Sequence, residues 1–261
     1  MSEDVKSRAQ ERFGPRAQNY VRSASHASGD DLERLVALAQ PAADWLALDV
    51  AAGGGHTALK FAPHVARVVA SDLTPPMLEA ARSFIRQKGA DNVIFSAGDA
   101  EMLPFKAETF DLVTCRIAPH HFPDCFRFVQ ECARVLKPGG RLLVEDQLVP
   151  DDERAARYLD AFERLRDPSH HRVYAEYEWR GLLLDAGFTV EQVEQFIYPE
   201  RKLLPWAQMQ DCPPEVIERL QVMLAQAPQA VAEWMNPRCA GTPDATFQHH
   251  FIIIMGRKGM S

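Results

Sequence analysis

The sequence predicts an α/β fold, a mostly parallel sheet with helices on both faces, on three observations. Between Leu46 and Glu145 short β-rich runs alternate with helix-period segments, the order that builds a parallel sheet. Pro and Gly punctuate the segment boundaries, as in LTPPMLE and LKPGGR. The first of the runs ends in a glycine cluster that gives way to a helix.

LALDVA, RVVASD, NVIFSA, FDLVTC and RLLVED read as five successive buried strands. The helix after the second strand has Thr74 as cap, Pro75 and Pro76 in its first turn, and Gly89 as a left-handed stop. LKPGGR ends another helix and turns into the fifth strand at Arg141. Residues 1–44 read as two polar-to-amphipathic helices, with Ser28 capping DDLERLVALA, and form a helical cap ahead of the core at 45–150. Beyond it, 151–261 form the substrate side of a single domain. DDERAARYLDAFERLR and EYEWRGLLLDAG are helices, the second stopped by Gly187, while FTVEQVEQF and HHFIIIMGRK are strands. Between those strands a Pro-rich helical insertion runs from about Pro205 to Pro243, longer than a hairpin needs and suited to a lid or substrate wall.

Composition narrows the classes. A chain of 261 residues, 46% hydrophobic and 25% charged, folds without disulfide or metal staples. The net charge of −7 and the lack of a basic run argue against a general hold on nucleic acid. The longest purely apolar stretch, Phe251 to Met255, is far short of a bilayer span. Five cysteines, odd in number and without a CxxC pair, fit a reducing compartment, so the cytoplasm is the expected location. A homodimer is compatible with all of this.

The sharpest signal is Asp49-Val-Ala-Ala-Gly53-Gly54-Gly55-His56-Thr57-Ala58. Glycines let a ligand approach the backbone, and the helix N-terminus offers free N–H groups to an anionic group. Gly53-x-Gly55-x-x-Ala58 also satisfies the dinucleotide fingerprint, with Asp72 at the spacing expected of a ribose-binding acid, so the loop alone admits NAD or S-adenosylmethionine. Asp49 separates them, because a carboxylate there would repel a pyrophosphate but suits an amino group. Asp99 and Ala100, closing the third strand, offer a carboxylate and an N–H to an adenine edge.

LDVAAGGGHTA, VVASDLTPPMLEAAR, GDAEMLPF, FDLVTCR and RVLKPGGRLLVED together resemble the ordered motifs of class I S-adenosylmethionine-dependent methyltransferases. Within them the chain is similar to the methyltransferase-type-11 group that includes the quinone-biosynthesis C-methyltransferases, with SHHR and CRIAPHHF similar to an uncharacterised bacterial branch. The resemblance implies a Rossmann-like seven-stranded sheet with a reversed last strand inserted next to the edge. It also implies S-adenosyl-L-methionine as cofactor and S-adenosyl-L-homocysteine as product. By the same resemblance Asp49, Ala51, Gly53 and Gly55 hold the methionine end, Asp72 the ribose and Leu73 the adenine face. Asp99 and Ala100 meet the adenine edge, Tyr20 closes over the cofactor, and Arg116 sits by the amino-acid end. Ala51 departs from the glycine common at that position.

Methyl transfer needs in-line placement and exclusion of water more than acid–base power, unless the acceptor is a phenol, enol or carbon acid with a proton to lose. His120 and His121, after the fourth strand, are the candidate bases; Asp124, Tyr158, His170 and His171 are secondary. The His120-His121, His170-His171 and His249-His250 doublets suggest no metal site, since neighbours on a strand face opposite ways and no HxxxH spacing accompanies them. Cys115, alternating with Val113, reads as a buried strand residue. RIAPHH replaces the NPPY-like motif of base-flipping enzymes, which directs the reading to a small, apolar or aromatic acceptor. Trp179, Trp206, Met209, Met223, Trp234 and Met235 are candidates to line its pocket. The remaining readings are an NAD-linked oxidoreductase and a cofactor-binding protein without catalysis.

Overall fold

The computed structural model describes residues 2–22 and 30–260. Its strands are β1 (Leu46–Val50), β2 (Arg67–Asp72), β3 (Val93–Ala97), β4 (Phe110–Arg116), β5 (Leu136–Gln147), β6 (Phe188–Lys202) and β7 (Thr246–Lys258). They form one sheet in the order β3-β2-β1-β4-β5-β7-β6. Pairing is parallel from β3 across to β5, and β7 runs antiparallel to both β5 and β6. This is the expected mostly parallel sheet with its last strand reversed and inserted next to the edge.

Strand β1 lies between β2 and β4, so the chain leaves it in one direction and later returns to its other side. That switch opens a crevice at the C-terminal ends of β1 and β4, where open α/β sheets take their ligands. Alternation along the strands feeds two cores. Leu48, Val50, Val113 and Cys115 pack on helices α6 (Cys125–Val135) and α8 (Glu176–Asp185), around Phe128 and Trp179. Ala47 and Leu112 pack on the other face against α3 (Asp30–Ala39), α4 (His56–Phe61) and α5 (Pro75–Gln87), around Leu35, Phe61 and Ile85. Cys115 is the buried strand residue its spacing indicates.

Gly89 (φ +75°) and Gly187 (φ +84°) follow α5 and α8 in the left-handed conformation that ends a helix. Two local readings differ. Thr74 precedes α5, but its side chain makes no cap bond; its N–H instead donates to Asp72 Oδ1 at 2.8 Å. Strand β5 begins at Leu136 rather than Arg141, because Leu136 already pairs with Phe110 before a register shift carries the ladder on to Leu112 and Arg141.

Helices α1 (Ser2–Phe13) and α2 (Ala17–Arg22) precede α3; Ser28 lies outside the described residues. Between β6 and β7 the chain forms α9 (Leu203–Gln208), α10 (Pro214–Ala225) and α11 (Gln229–Met235), the helical insertion read from the sequence. With α7 (Glu153–Arg166) they enclose a third core, in which Trp206 stacks on Phe162 at 5.3 Å and meets Phe247 edge-on. Among the described residues no helix is long and apolar enough to cross a membrane.

Candidate active site

A cavity of about 720 Å³ fills the crevice beyond β1, β2 and β4. Its wall contains Asp49, Ala51, Gly53, Asp72, Leu73, Asp99, Ala100, Arg116, His120 and His121, residues drawn from five separate sequence segments. Gly55 is absent from it and Gly54 present. Tyr20 belongs to α2, and its side chain lies outside the described part of the structure.

The loop after β1 winds through positive φ at Ala51 (+53°), Gly53 (+52°) and Gly55 (+82°). Gly55 serves packing: a Cβ there would lie 2.8 Å from Ile85 Cδ1 and 3.1 Å from the Ala81 methyl, so only glycine lets α4 approach α5 this closely. Ala51 carries a Cβ in the left-handed region, which favours glycine by about 1 kcal/mol. Ala51→Gly is therefore expected to stabilise the protein by about 0.5–1 kcal/mol, net of the added freedom of the unfolded chain, as read from urea unfolding midpoints at constant slope.

Asp72 clamps this loop. Its Oδ2 accepts the Gly53 N–H at 2.9 Å and its Oδ1 the Thr74 N–H, so the acid at the end of β2 joins the glycine turn to the start of α5. Burial raises its pKa against those bonds. Asp49, 2% exposed, has Oδ1 accepting the Thr114 hydroxyl at 3.0 Å, while Oδ2 is buried with no partner. Burial pushes its pKa up to about 7, against the Thr114 bond, the main-chain N–H of Ala58 and the more distant Arg116 charge.

On the far side of Asp72, Asp99 Oδ2 and Glu101 Oε2 both accept from Lys6 Nζ, at 2.7 and 2.6 Å. Lys6 begins a line of contacts along α1. Gln10 donates to the Leu73 carbonyl at 2.8 Å, Arg12 to the Gln210 carbonyl at 2.6 Å, and Phe13 meets the His121 ring edge-on at 5.0 Å. The helix thus crosses the cavity from the Asp99 end to the insertion. The Arg116 guanidinium turns away from the cavity into a buried acidic pair, donating to Asp31 Oδ2 at 2.5 Å and to Glu145 Oε2 at 3.2 Å. Burial takes Glu145 up to about 8. Arg116 thus ties α3 to the sheet.

His120 and His121 sit in a 3-10 turn, Pro119–His121, with ring centroids 4.2 Å apart. The opposite-face argument of a strand therefore does not apply to this doublet. The two histidine segments interlock: the His120 carbonyl accepts the N–H groups of His171 and Arg172, and the His170 ring stacks on His120 at 5.5 Å. Asp146, at the end of β5, accepts both the His120 main-chain N–H (2.8 Å) and Nδ1 (2.6 Å). Burial works against a His120 cation, but the Asp146 carboxylate outweighs it and the pKa is raised. His121 Nδ1 lies 3.0 Å from the Ser169 carbonyl, which can only accept, so this nitrogen carries the proton. Burial and the neighbouring His120 take the His121 pKa down to about 3.

Three of the four secondary candidates hold structure. Asp124 caps α6 through the Arg127 N–H, Tyr158 donates to the Met223 carbonyl at 2.6 Å, and His170 Nε2 pairs with Asp160 at 2.8 Å. Of the six large Trp and Met residues only Met209 reaches the cavity; Trp179 and Trp206 are core, and Trp234 stacks on His250 at 3.9 Å. Among the described residues no group of three His, Cys, Asp or Glu side chains is placed to hold a metal ion. Two residues escaped the sequence reading: Asp146, which stands behind the wall and fixes His120, and Gln147 on the wall, whose Oε1 is buried without a partner. Their signal was the acidic-polar end of the RLLVEDQ strand, next to the strand that carries the histidines.

A switch-point crevice with a glycine turn and a carboxylate closing β2 defines a Rossmann-like α/β protein with its candidate ligand site at the strand ends. Residues 48–144 match the family model described as a methyltransferase domain. The chain is 39% identical to the uncharacterized methyltransferase YcgJ of Bacillus subtilis over 72% of its own length and 74% of that protein's. The YcgJ crystal structure superposes with a TM-score of 0.83 at 33% identity, covering 89% of this chain and 99% of that one. A candidate methyltransferase from Bacillus halodurans C-125 gives 0.85 at 36% identity, covering 88% and 100%. The ubiquinone/menaquinone biosynthesis C-methyltransferase of Marinomonas sp. is 34% identical over 44% of this chain and 47% of its own. The chain belongs to the S-adenosylmethionine-dependent methyltransferase family.

Proposed function

We propose that the protein transfers a methyl group from S-adenosylmethionine to a small acceptor with an apolar or aromatic body, in the cavity beyond β1 and β4. The observation that carries this reading is the unpartnered, buried Oδ2 of Asp49 beside the glycine turn. An isolated buried carboxylate oxygen is expensive, and an ammonium group relieves it. Asp49 and the main chain of Ala51, Gly53 and Arg116 hold the amino-acid end, Asp72 the ribose hydroxyls, and Leu73, Asp99 and Ala100 the adenine. The bound cofactor supplies a methyl group already activated by its sulfonium.

The protein's share is to orient the acceptor, exclude water and manage a proton. Phe13 and Phe122 give the histidine end flat apolar walls, and α1 closes over it. His120, whose pKa is raised, is the imidazole on that wall able to give a proton near neutral pH, His121 beside it stays neutral, and Gln147 offers an acceptor oxygen. Calorimetry with S-adenosylmethionine, S-adenosylhomocysteine and NAD tests the first half. The expected result is micromolar binding of the two sulfur ligands and none of NAD; NAD alone, or no ligand, would sink the reading. Methyl-labelled S-adenosylmethionine offered with phenols, enols and carbon acids tests the second. Labelled product is expected, whereas cofactor binding without transfer to any of them favours a non-catalytic binding protein.

A further inference from the structure

Alternation along β4 sends Val113 and Cys115 into the core between the sheet and α6, and the next residue of that set is Ile117. Ile117 nevertheless joins none of the hydrophobic cores formed by the described residues, and it lines the cavity instead. Its backbone accounts for the change of direction. At φ +53° it lies in the left-handed region, and of the seven non-glycine residues described with positive φ it is the only one branched at Cβ. That branch makes the conformation costlier for isoleucine than for the other six.

The bend is held from β5. Ile117 donates its N–H to the Glu145 carbonyl at 2.7 Å, and the preceding Arg116 reaches the Glu145 carboxyl at 3.2 Å and Asp31 at 2.5 Å. A counterpart lies on the neighbouring strand: Val50 pairs with Cys115, and the residue after Val50, Ala51, is left-handed at φ +53° as well. The two strands at the switch point thus leave the sheet through matched turns, and both turn residues line the cavity. Strained residues persist only where the surroundings over-determine them, and they cluster at ligand sites. Glycine would make the same turn without strain, so what isoleucine adds at this position is its side chain.

We propose that Ile117 is the contact for the group being transferred: its side chain, stiff at χ1, stands beside the sulfonium and its methyl group. This inference rests on the methyltransferase reading of the cavity. In chain order Ile117 follows Arg116, at the amino-acid end, and precedes the Pro119–His121 turn, at the acceptor end. The part of S-adenosylmethionine that lies between its amino-acid end and the acceptor is the sulfonium. An aliphatic neighbour solvates a sulfonium poorly and a neutral thioether well, so this wall favours the loss of charge that transfer brings. In that step the electron pair of the S–CH3 bond stays on sulfur, and a lone pair of the acceptor takes the methyl group. The same side chain covers the sulfur against water.

Nuclear Overhauser spectroscopy tests the contact, on the full chain labelled with carbon-13 in its isoleucine methyls and saturated with S-adenosylmethionine carrying a carbon-13 S-methyl group. The Ile117 signals are those missing from Ile117→Val. A cross-peak between them and the S-methyl group is expected, and bound cofactor without one overturns the proposal. Ile117→Gly gives a second readout. It sheds the strain and little packing, so its urea midpoint should equal or exceed that of wild type, while S-adenosylmethionine binds about tenfold more weakly by calorimetry. Unchanged affinity, or stability that falls along with affinity, overturns the proposal, because the residue then serves the fold alone. Ile117→Val keeps the branch and is expected to bind within about threefold of wild type; a loss as large as with glycine overturns the role given to the branch. If the wild-type protein binds no S-adenosylmethionine, the methyltransferase reading fails and the contact with it, whereas binding without the cross-peak removes the contact alone.

Discussion

Asp49→Asn is expected to weaken S-adenosylmethionine binding about a hundredfold while making the free protein more stable at alkaline pH. Both effects follow from one buried oxygen. In the free protein Asp49 has no partner for Oδ2, and burial raises its pKa from 3.8 to about 7. The folded state therefore binds a proton there more tightly than the unfolded chain does. Relative stability is greatest at low pH and is lost as pH rises from about 4 to 7, by up to about 4 kcal/mol. Asparagine does not titrate, so the stability difference between variant and wild type should shift in the variant's favour across that window and level off above it. Chemical unfolding at several pH values reads this directly, and a difference that does not change with pH would contradict it. An ammonium beside Asp49 restores the ionised form, so cofactor binding should release a proton and tighten from about pH 5 to 7. Removing one member of such a buried charge pair weakens binding by about 2–5 kcal/mol. Calorimetry in buffers of different ionisation enthalpy measures the proton count.

The legible parts of this fold are those set by local rules. LALDVA and RVVASD are apolar runs bounded by turns, and Gly89 and Gly187 stop helices because a left-handed residue is needed there. Asp49, Asp72 and Asp99 were legible because each closes or ends a strand of one βα unit, and such ends converge in a parallel sheet. The role of Gly55 was not, since the glycine fingerprint does not distinguish a residue that faces a ligand from one that faces a helix; Ile85 and Ala81, about thirty residues on, decide it. The histidine pairing was hidden for a similar reason. PHHF and SHHR are far apart in sequence, and only the return of the chain after α7 lays the His171 and Arg172 N–H groups on the His120 carbonyl. Trp206 and Trp179 misled because a large apolar residue is equally at home in a pocket and in a core, and here the third core took Trp206 while the core between the sheet and α8 took Trp179.

The second large effect is expected from Asp146→Asn. The side chain is buried, and its two oxygens accept from the two nitrogens of one residue, the main-chain N–H and Nδ1 of His120. Asparagine can keep one of these contacts only. If its carbonyl takes the main-chain N–H, its amide presents hydrogens to Nδ1, which must then hold the lone pair while the proton moves to Nε2. The imidazolium is lost in either arrangement, because the carboxylate that supported it is gone. Methyl transfer to a proton-bearing acceptor should fall about 10²–10³-fold in kcat/KM, with S-adenosylhomocysteine affinity unchanged, since Asp146 stands behind the histidine and not on the cofactor loop. Stability carries a separate signature. The folded pKa of His120 is raised, so its contribution is fully present below the unfolded value of 6.5 and disappears as pH rises through the folded value. The stability gap between wild type and variant should accordingly be widest below pH 6.5 and narrow as pH rises through the raised folded value. An activity loss accompanied by weaker cofactor binding, or a gap that widens with pH, would mean that Asp146 supports the crevice as a whole rather than the charge on one ring.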